Sequence, residues 1–312
     1  MKIGLQIPRF HWPGSQGNLG SKLVEIARAA DEGGFHSVWV MDHFYQVGQG
    51  YGAPEEPMLE GYTELAYLAA VTRRVKLGTM VTRAFYRHPG VLVKMVTTLD
   101  VLSGGRGVLG IGAGWYELES RGMGVPFPYS VKERVGRLEE TLRIAHHMWR
   151  DDRTSFEGKY YRLEEPICSP QPLSEPHPYI MIGGAGERKT LRFVARYGDA
   201  CNLHLGAHPK LTGYTPRSYE NYRTRSERLR HKLGVLRRHC EREGRDYEEI
   251  DRSVLSPLEI SPGALTTDDV LEMCKELAEI GINYVIFNMP NDHEIHPVES
   301  IGREVIPRVR EL

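Results

Sequence analysis

Short apolar runs alternate with amphipathic stretches along this 312-residue chain, and that alternation limits the fold more than any other feature. Runs at 2–7, 37–41, 75–81, 108–111, 179–182, 200–203, 254–259 and 284–287 read as strands, most of them nearly continuous in apolar residues. Leu23, Ile26, Ala27 and Ala30 recur at helical spacing before Gly33-Gly34, which ends that helix. Further helices are expected at 65–71, from Pro89 with Leu92, Met95, Val96 and Leu99, and along Leu138, Leu142, Ala145 and Trp149. Others are expected at 187–197, along Tyr222, Leu229, Leu233, Leu236 and Cys240, along Leu271, Cys274, Leu277 and Ala278, and at 297–309. Residues 156–163, with the turn pair Glu157-Gly158, read as a hairpin excursion.

Length alone slightly favours two domains, but eight strands alternating with eight helices predict a single (β/α)8 TIM barrel of the α/β class over residues 1–312. The rival, an open doubly wound sheet, wants a glycine fingerprint after its first strand, and none follows Ile7. Gly105, Gly107 and Gly110 fit the dinucleotide pattern in letters only, because they run into a strand instead of opening a helix.

A closed parallel barrel puts its chemistry at the carboxyl ends of its strands. Those ends offer Gln6, Pro8, Asp42, His43, Met80 to Thr82, Gly112 to Glu117, Gly183 to Gly186, Asn202, His204, Glu259 and Asn288. The connections 44–61 and 205–219 at this face exceed ordinary loop length and are expected to be insertions serving as lids or substrate walls. Around Val108, Leu109 and Ile111, Gly110 and Gly112 imply a strand opening into a bend where a flat ligand lies against bare backbone.

Gly183-Gly184-Ala185-Gly186 before a helix starting at Glu187 suits an anion such as phosphate, and equally a tight turn needing glycine. Lys189-Thr190 lacks the preceding glycine of a triphosphate-binding loop, since Arg188 stands there. Asp42-His43 ends a strand with one side chain directed to the axis and one to the rim, and a histidine there can move a proton near neutral pH or simply be structural. His146-His147 and the pair His293 and His296 lack metal-site spacing, so no metal is expected, and no G-x-S-x-G elbow occurs. The helix at 217–245 carries ten Arg or Lys, which is either a solvated outer face or a rim for an acidic ligand tail.

The formal net charge of −1, from 40 basic and 41 acidic residues, provides no overall field for nucleic acid or an anionic membrane, so a small-molecule partner is expected. Without an apolar leader or a membrane-length run the chain reads as cytoplasmic, and Cys168, Cys201, Cys240 and Cys274 are too scattered for a disulfide or metal framework.

Taken together, Met41-Asp42-His43-Phe44, Gly78-Thr79-Met80-Val81-Thr82, His88-Pro89, the run from Leu99 to Arg106, Gly112-Ala113-Gly114-Trp115 and Ile182-Gly183-Gly184 resemble the bacterial luciferase-like superfamily, above all its coenzyme F420-dependent oxidoreductases. The resemblance runs from Lys2 to about Leu203. It implies a barrel holding F420, or FMN in sister groups, and a non-prolyl cis peptide at Met80-Val81 beneath the ring. It further implies Asp42 and His43 near the reactive ring, Thr82 bonded to the cofactor, Gly112, Ala113 and Gly114 along it, and Gly183, Gly184, Ala185 and Gly186 at its phosphate. His43 is then the proton donor or acceptor for hydride transfer to or from a small organic substrate, Asp42 orients it or binds the ring edge, Trp115 forms an apolar wall, and Glu117 is a second polar candidate. An FMN monooxygenase using O2 and a non-catalytic deazaflavin-binding protein are the alternatives, and a homodimer is expected because such proteins often pair.

Overall fold

The computed structural model describes residues 1–15, 17–48, 51–205 and 225–312. Strands β1 (Lys2–Ile7), β2 (Ser37–Val40) and β3 (Lys76–Thr79) alternate with helices α1 (Leu19–Glu32), α2 (Gly61–Val71) and α3 (Pro89–Ser103), with the two-residue strand β4 (Thr82–Arg83) before α3. Next come β5 (Gly107–Gly112), the short helix α4 (Glu117–Gly122), α5 (Val131–Trp149) and an antiparallel hairpin of β6 (Phe156–Glu157) and β7 (Arg162–Leu163). The chain continues through β8 (Tyr179–Gly183), α6 (Thr190–Tyr197), β9 (Ala200–His204), α7 (Arg225–Glu243), β10 (Asp251–Pro257), α8 (Thr267–Ile280), β11 (Tyr284–Asn288), α9 (His296–Ser300) and α10 (Ile306–Val309).

All neighbouring barrel strands pair in parallel, in the order β3-β2-β1-β11-β10-β9-β8-β5, and β5 returns to β3 to close an eight-stranded cylinder. The alternation therefore gives the closed (β/α)8 barrel it implied. Closure explains why β2, β5 and β11 are buried along their whole length: one face looks into the barrel and the other meets a helix. The core accordingly falls into two clusters, a lumen of Trp39, Met80, Val108, Met181, Ala200, Tyr284 and Ile286, and a larger shell between strands and helices.

At the amino-terminal end of the barrel Lys2 Nζ and the Tyr179 hydroxyl both donate to Asp251 Oδ2 at 2.5 Å, and the Tyr284 hydroxyl bonds Ser37. This end is sealed by polar pairs, so the cavity lies at the other.

Several helices differ from expectation. Helix α2 begins at Gly61, four residues before the apolar period, because the Glu60 carboxylate caps it by accepting from the N–H groups of Tyr62 and Thr63. Helix α6 begins at Thr190 instead of 187, with a turn in between. The last helix is split by a π turn at Ile301–Val305, and α4 was not foreseen. The expected wall at 205–219, together with Tyr222 and the start of the basic helix at 217–224, lies outside the described residues apart from Leu205. Among the described residues no helix is long and apolar enough to cross a membrane.

Candidate active site

The carboxyl ends of the strands open into a cavity of about 640 Å³, a size typical of small-molecule sites. Met80 and Val81 form part of its lining, and the Met80-Val81 peptide is cis, as the resemblance implies; the expected single strand at 75–81 is corrected, since β3 stops at Thr79 and the chain resumes as β4. Gln6 Nε2 donates to the Met80 carbonyl at 3.2 Å and Asn288 Nδ2 donates to Gln6 Oε1 at 2.5 Å, so β1 and β11 hold this crossing from below.

The Val81 side chain lies between two bare stretches of backbone. A Cβ on Gly112 would sit 2.8 Å from Val81 Cγ2, and one on Gly183 would sit 3.0 Å from Val81 Cγ1. At Gly110 a Cβ would collide with the Thr79 carbonyl. The reading of Gly110 as room for a ligand is thus corrected, since the protein's own Thr79 carbonyl takes that room, whereas Gly112 does line the cavity, with Val81 beside it.

Of the residues singled out in the sequence, His43, Met80, Val81, Gly112, Ala113, Gly114, Trp115, Gly183, Gly184 and Ala185 all line this cavity, as do the strand-end residues Gln6, Asn202 and His204. Asp42, Thr82, Glu117 and Gly186 do not. Thr82 is wholly buried, its hydroxyl bonded to Tyr62 Oη at 2.9 Å and Thr79 Oγ1 at 2.8 Å. Glu117 stands on α4, accepting from the Tyr129 hydroxyl at 3.2 Å with Arg121 beside it. At the glycine loop the Gly184 N–H already donates to Asn202 O at 3.1 Å, while Ala185 and Thr190 face the cavity and Glu187 is held by Lys232 of α7 at 2.6 Å. His146 and His293 serve elsewhere, the first bonded to Tyr197 O at 3.0 Å and the second stacked on Trp12.

Asp42 and His43, just past the end of β2, point apart as expected. Asp42 is buried on the helix side, where Arg87 donates to both its oxygens at 2.6 and 3.0 Å. The carboxylate beside His43 is instead Glu119, which no sequence signal singled out. Its Oε1 lies 2.7 Å from His43 Nδ1, its Oε2 accepts from the Phe44 N–H at 2.6 Å, and Arg83 forms an ion pair with it. Burial opposes ionisation of Glu119, but the hydrogen bond and charge of His43 and the charge of Arg83 outweigh it and hold the carboxyl below its ordinary value. His204 is pushed down to about 4 by burial and by the Arg228 charge, so it faces the cavity neutral.

Arg83, Glu119 and Arg228 were all missed. Arg83 follows Thr82 directly, but the interrupted strand hid its exit; Glu119 sits on an unforeseen helix; Arg228 was one of ten cations spread over 217–245.

Curated relatives include the F420-dependent glucose-6-phosphate dehydrogenase of Kineococcus radiotolerans, 34% identical over 75% of this chain and 62% of that one, so the chain spans less than two thirds of that relative. The enzyme of the same name from Nakamurella multipartita is 29% identical over 97% of each chain. Among solved structures, the monooxygenase RslO1 from Streptomyces bottropensis shares the fold with a TM-score of 0.77 at 21% identity, covering 99% of both chains. The sequence profile of the luciferase-like monooxygenases matches residues 1–258, and the chain belongs to that family.

Proposed function

We propose that this chain is an F420-dependent oxidoreductase that transfers a hydride between the deazaflavin and a small organic substrate, the whole reaction being carried by the barrel of residues 1–312. The observation that carries this reading is a single cavity in which an apolar crossing, Met80-Val81, a histidine tethered by a carboxylate, His43, and a glycine loop at 183–185 all meet. The F420-dependent relatives support the cofactor. The residues fit it: Val81 offers hydrocarbon to a flat ring, the β5 end with Gly112, Ala113 and Gly114 flanks the same space, and Ala185 and Thr190 lie where an anionic arm would end.

When bound, F420 supplies the hydride-accepting or hydride-donating centre. The chain's own residues do the rest. His43, tethered through Nδ1, keeps Nε2 for a proton moving to or from the substrate oxygen. Trp115, 55% exposed at the cavity wall and 6.2 Å from the His43 ring, gives the substrate an apolar surface to lie on. Asp42 acts at one remove, holding Arg87 and so the segments on either side.

The reading also includes a homodimer in the cytoplasm. Leu102 (74% exposed) and Val91 (55%) flank an apolar groove between α2 and α3 that a second copy would cover, which sedimentation at micromolar concentration tests. The cysteines at 168, 201, 240 and 274 are buried free thiols, as suits a reducing compartment.

Fluorescence titration with F420 and with FMN tests the central claim. Quenching with clear preference for F420 is expected; preference for FMN moves the chain to flavin monooxygenase chemistry.

A further inference from the structure

We infer that Glu119 is a positioning residue that fixes which nitrogen of His43 carries the proton, with Arg83 as its counter-charge. The inference rests on the reading of His43 as the proton-transferring group.

Glu119 reaches from α4 into a fully buried position and uses both oxygens. Oε2 accepts from the backbone N–H groups of Phe44 at 2.6 Å and Tyr45 at 3.3 Å, which fixes the chain just after His43. Oε1 faces His43 Nδ1 at 2.7 Å and the Arg83 guanidinium. Arg83 in turn donates through Nη1 to Tyr116 O at 2.6 Å and lies 4.5 Å from the centre of the Tyr86 ring, so its position is set independently of His43.

A carboxylate only accepts and a guanidinium only donates. His43 Nδ1 lies 3.0 Å from Arg83 Nη2 and 2.7 Å from Glu119 Oε1, and Nη2 already donates to that same oxygen. The second N–H of Nη2 faces Nδ1 at 3.0 Å and asks it to accept, but the carboxylate oxygen at 2.7 Å is closer and has no proton to give, so the ring nitrogen donates to Glu119 and carries the proton at Nδ1. Nε2 is left with its lone pair, so the neutral ring meets a cavity ligand as an acceptor. A hydroxyl group is what such a nitrogen receives, so with an alcohol substrate His43 Nε2 would take the O–H proton, while F420 held in the same cavity would supply the acceptor for the hydride of the carbinol carbon.

A merely structural Glu119 would hold the backbone of Phe44 and Tyr45 and have no say in the ring's proton. Glu119→Gln separates the two roles. Its carbonyl is needed by the two backbone N–H groups, which turns the amide NH2 toward His43 and makes Nδ1 an acceptor.

The test is nitrogen-detected NMR of protein labelled with ¹⁵N-histidine, with the His43 signal assigned by its loss in His43→Gln. Wild type is expected in the Nδ1–H form, Glu119→Gln mostly in the Nε2–H form, and Glu119→Asp restored toward wild type. Glu119→Ala, expected to release the Nδ1–H preference, serves if the glutamine variant fails to fold. Wild type in the Nε2–H form, or a Glu119→Gln or Glu119→Ala protein that keeps Nδ1–H, overturns the inference. Failure of the underlying reading looks different: His43 would keep the Nδ1–H form set by Glu119 while His43→Ala turns over at the wild-type rate.

Discussion

Val81 fills the space that a side chain at position 112 would need: a Cβ on Gly112 would stand 2.8 Å from Val81 Cγ2 and 3.4 Å from the Gly183 carbonyl. Real Cβ atoms do not approach that closely, so Gly112→Ala must push Val81, and with it the surface offered to a ring. We expect a stability loss of about 1–3 kcal/mol by thermal or urea denaturation and at least tenfold weaker F420 binding. Adding Val81→Ala should recover most of the stability and little of the affinity.

His43→Ala should bind F420 within about twofold of wild type and turn over on the order of 10²-fold more slowly, as loss of a general acid or base does. Quench titration gives the first quantity and steady-state rates with a screened alcohol or carbonyl substrate give the second. Wild-type rates would remove His43 from the chemistry.

The barrel and most of its rim were readable from the sequence because period, glycine and proline report on local geometry. What could not be read was set by distance in space. The resemblance implied that Asp42 orients His43 or binds the ring edge; beyond the end of β2 the Asp42 side chain turns instead to Arg87, and Glu119 arrives from 76 residues away to take the orienting place expected of Asp42. The resemblance implied that Thr82 bonds the cofactor, yet Tyr62 from α2 and Thr79 claim its hydroxyl.

Asp42→Asn tests that reassignment. Arg87 would lose one of its two carboxylate partners and keep Glu60, so we expect a loss of about 2–4 kcal/mol in urea unfolding, short of the full cost of an orphaned buried charge. The kcat of folded protein should stay within about fivefold. A folded Asp42→Asn protein slowed as much as His43→Ala would put Asp42 in the chemistry.

Glu64 is 4% exposed with neither carboxyl oxygen hydrogen-bonded, and burial together with the charges of Asp292 and Glu60 pushes it well above the ordinary carboxylate value. A folded-state value above the unfolded one means the favourable contribution is complete below about pH 4 and is lost as pH rises through the folded value. Glu64→Gln should therefore melt a few degrees higher than wild type at pH 8 and show no such gain at pH 4.

His36 runs in the opposite sense. Burial first, then the charge of Lys2, against Asp251 and with Lys76, pulls it down to about 4. Its contribution is complete above the unfolded value of about 6.5 and is lost as pH falls from there to about 4. Replacing His36 with Gln should flatten the dependence of urea stability on pH in that window by about one proton, leaving the similar dependence from His204. An unchanged slope would mean that His36 titrates normally in the folded chain.

The bond from Gln6 to the Met80 carbonyl has a thermodynamic corollary. With that oxygen turned down and satisfied at 3.2 Å, the Val81 side chain has little to offer a water, and any water resting there would be loosely held. Ligand arrival should release it, and calorimetry should register a negative heat-capacity change that shrinks when a polar side chain replaces Val81.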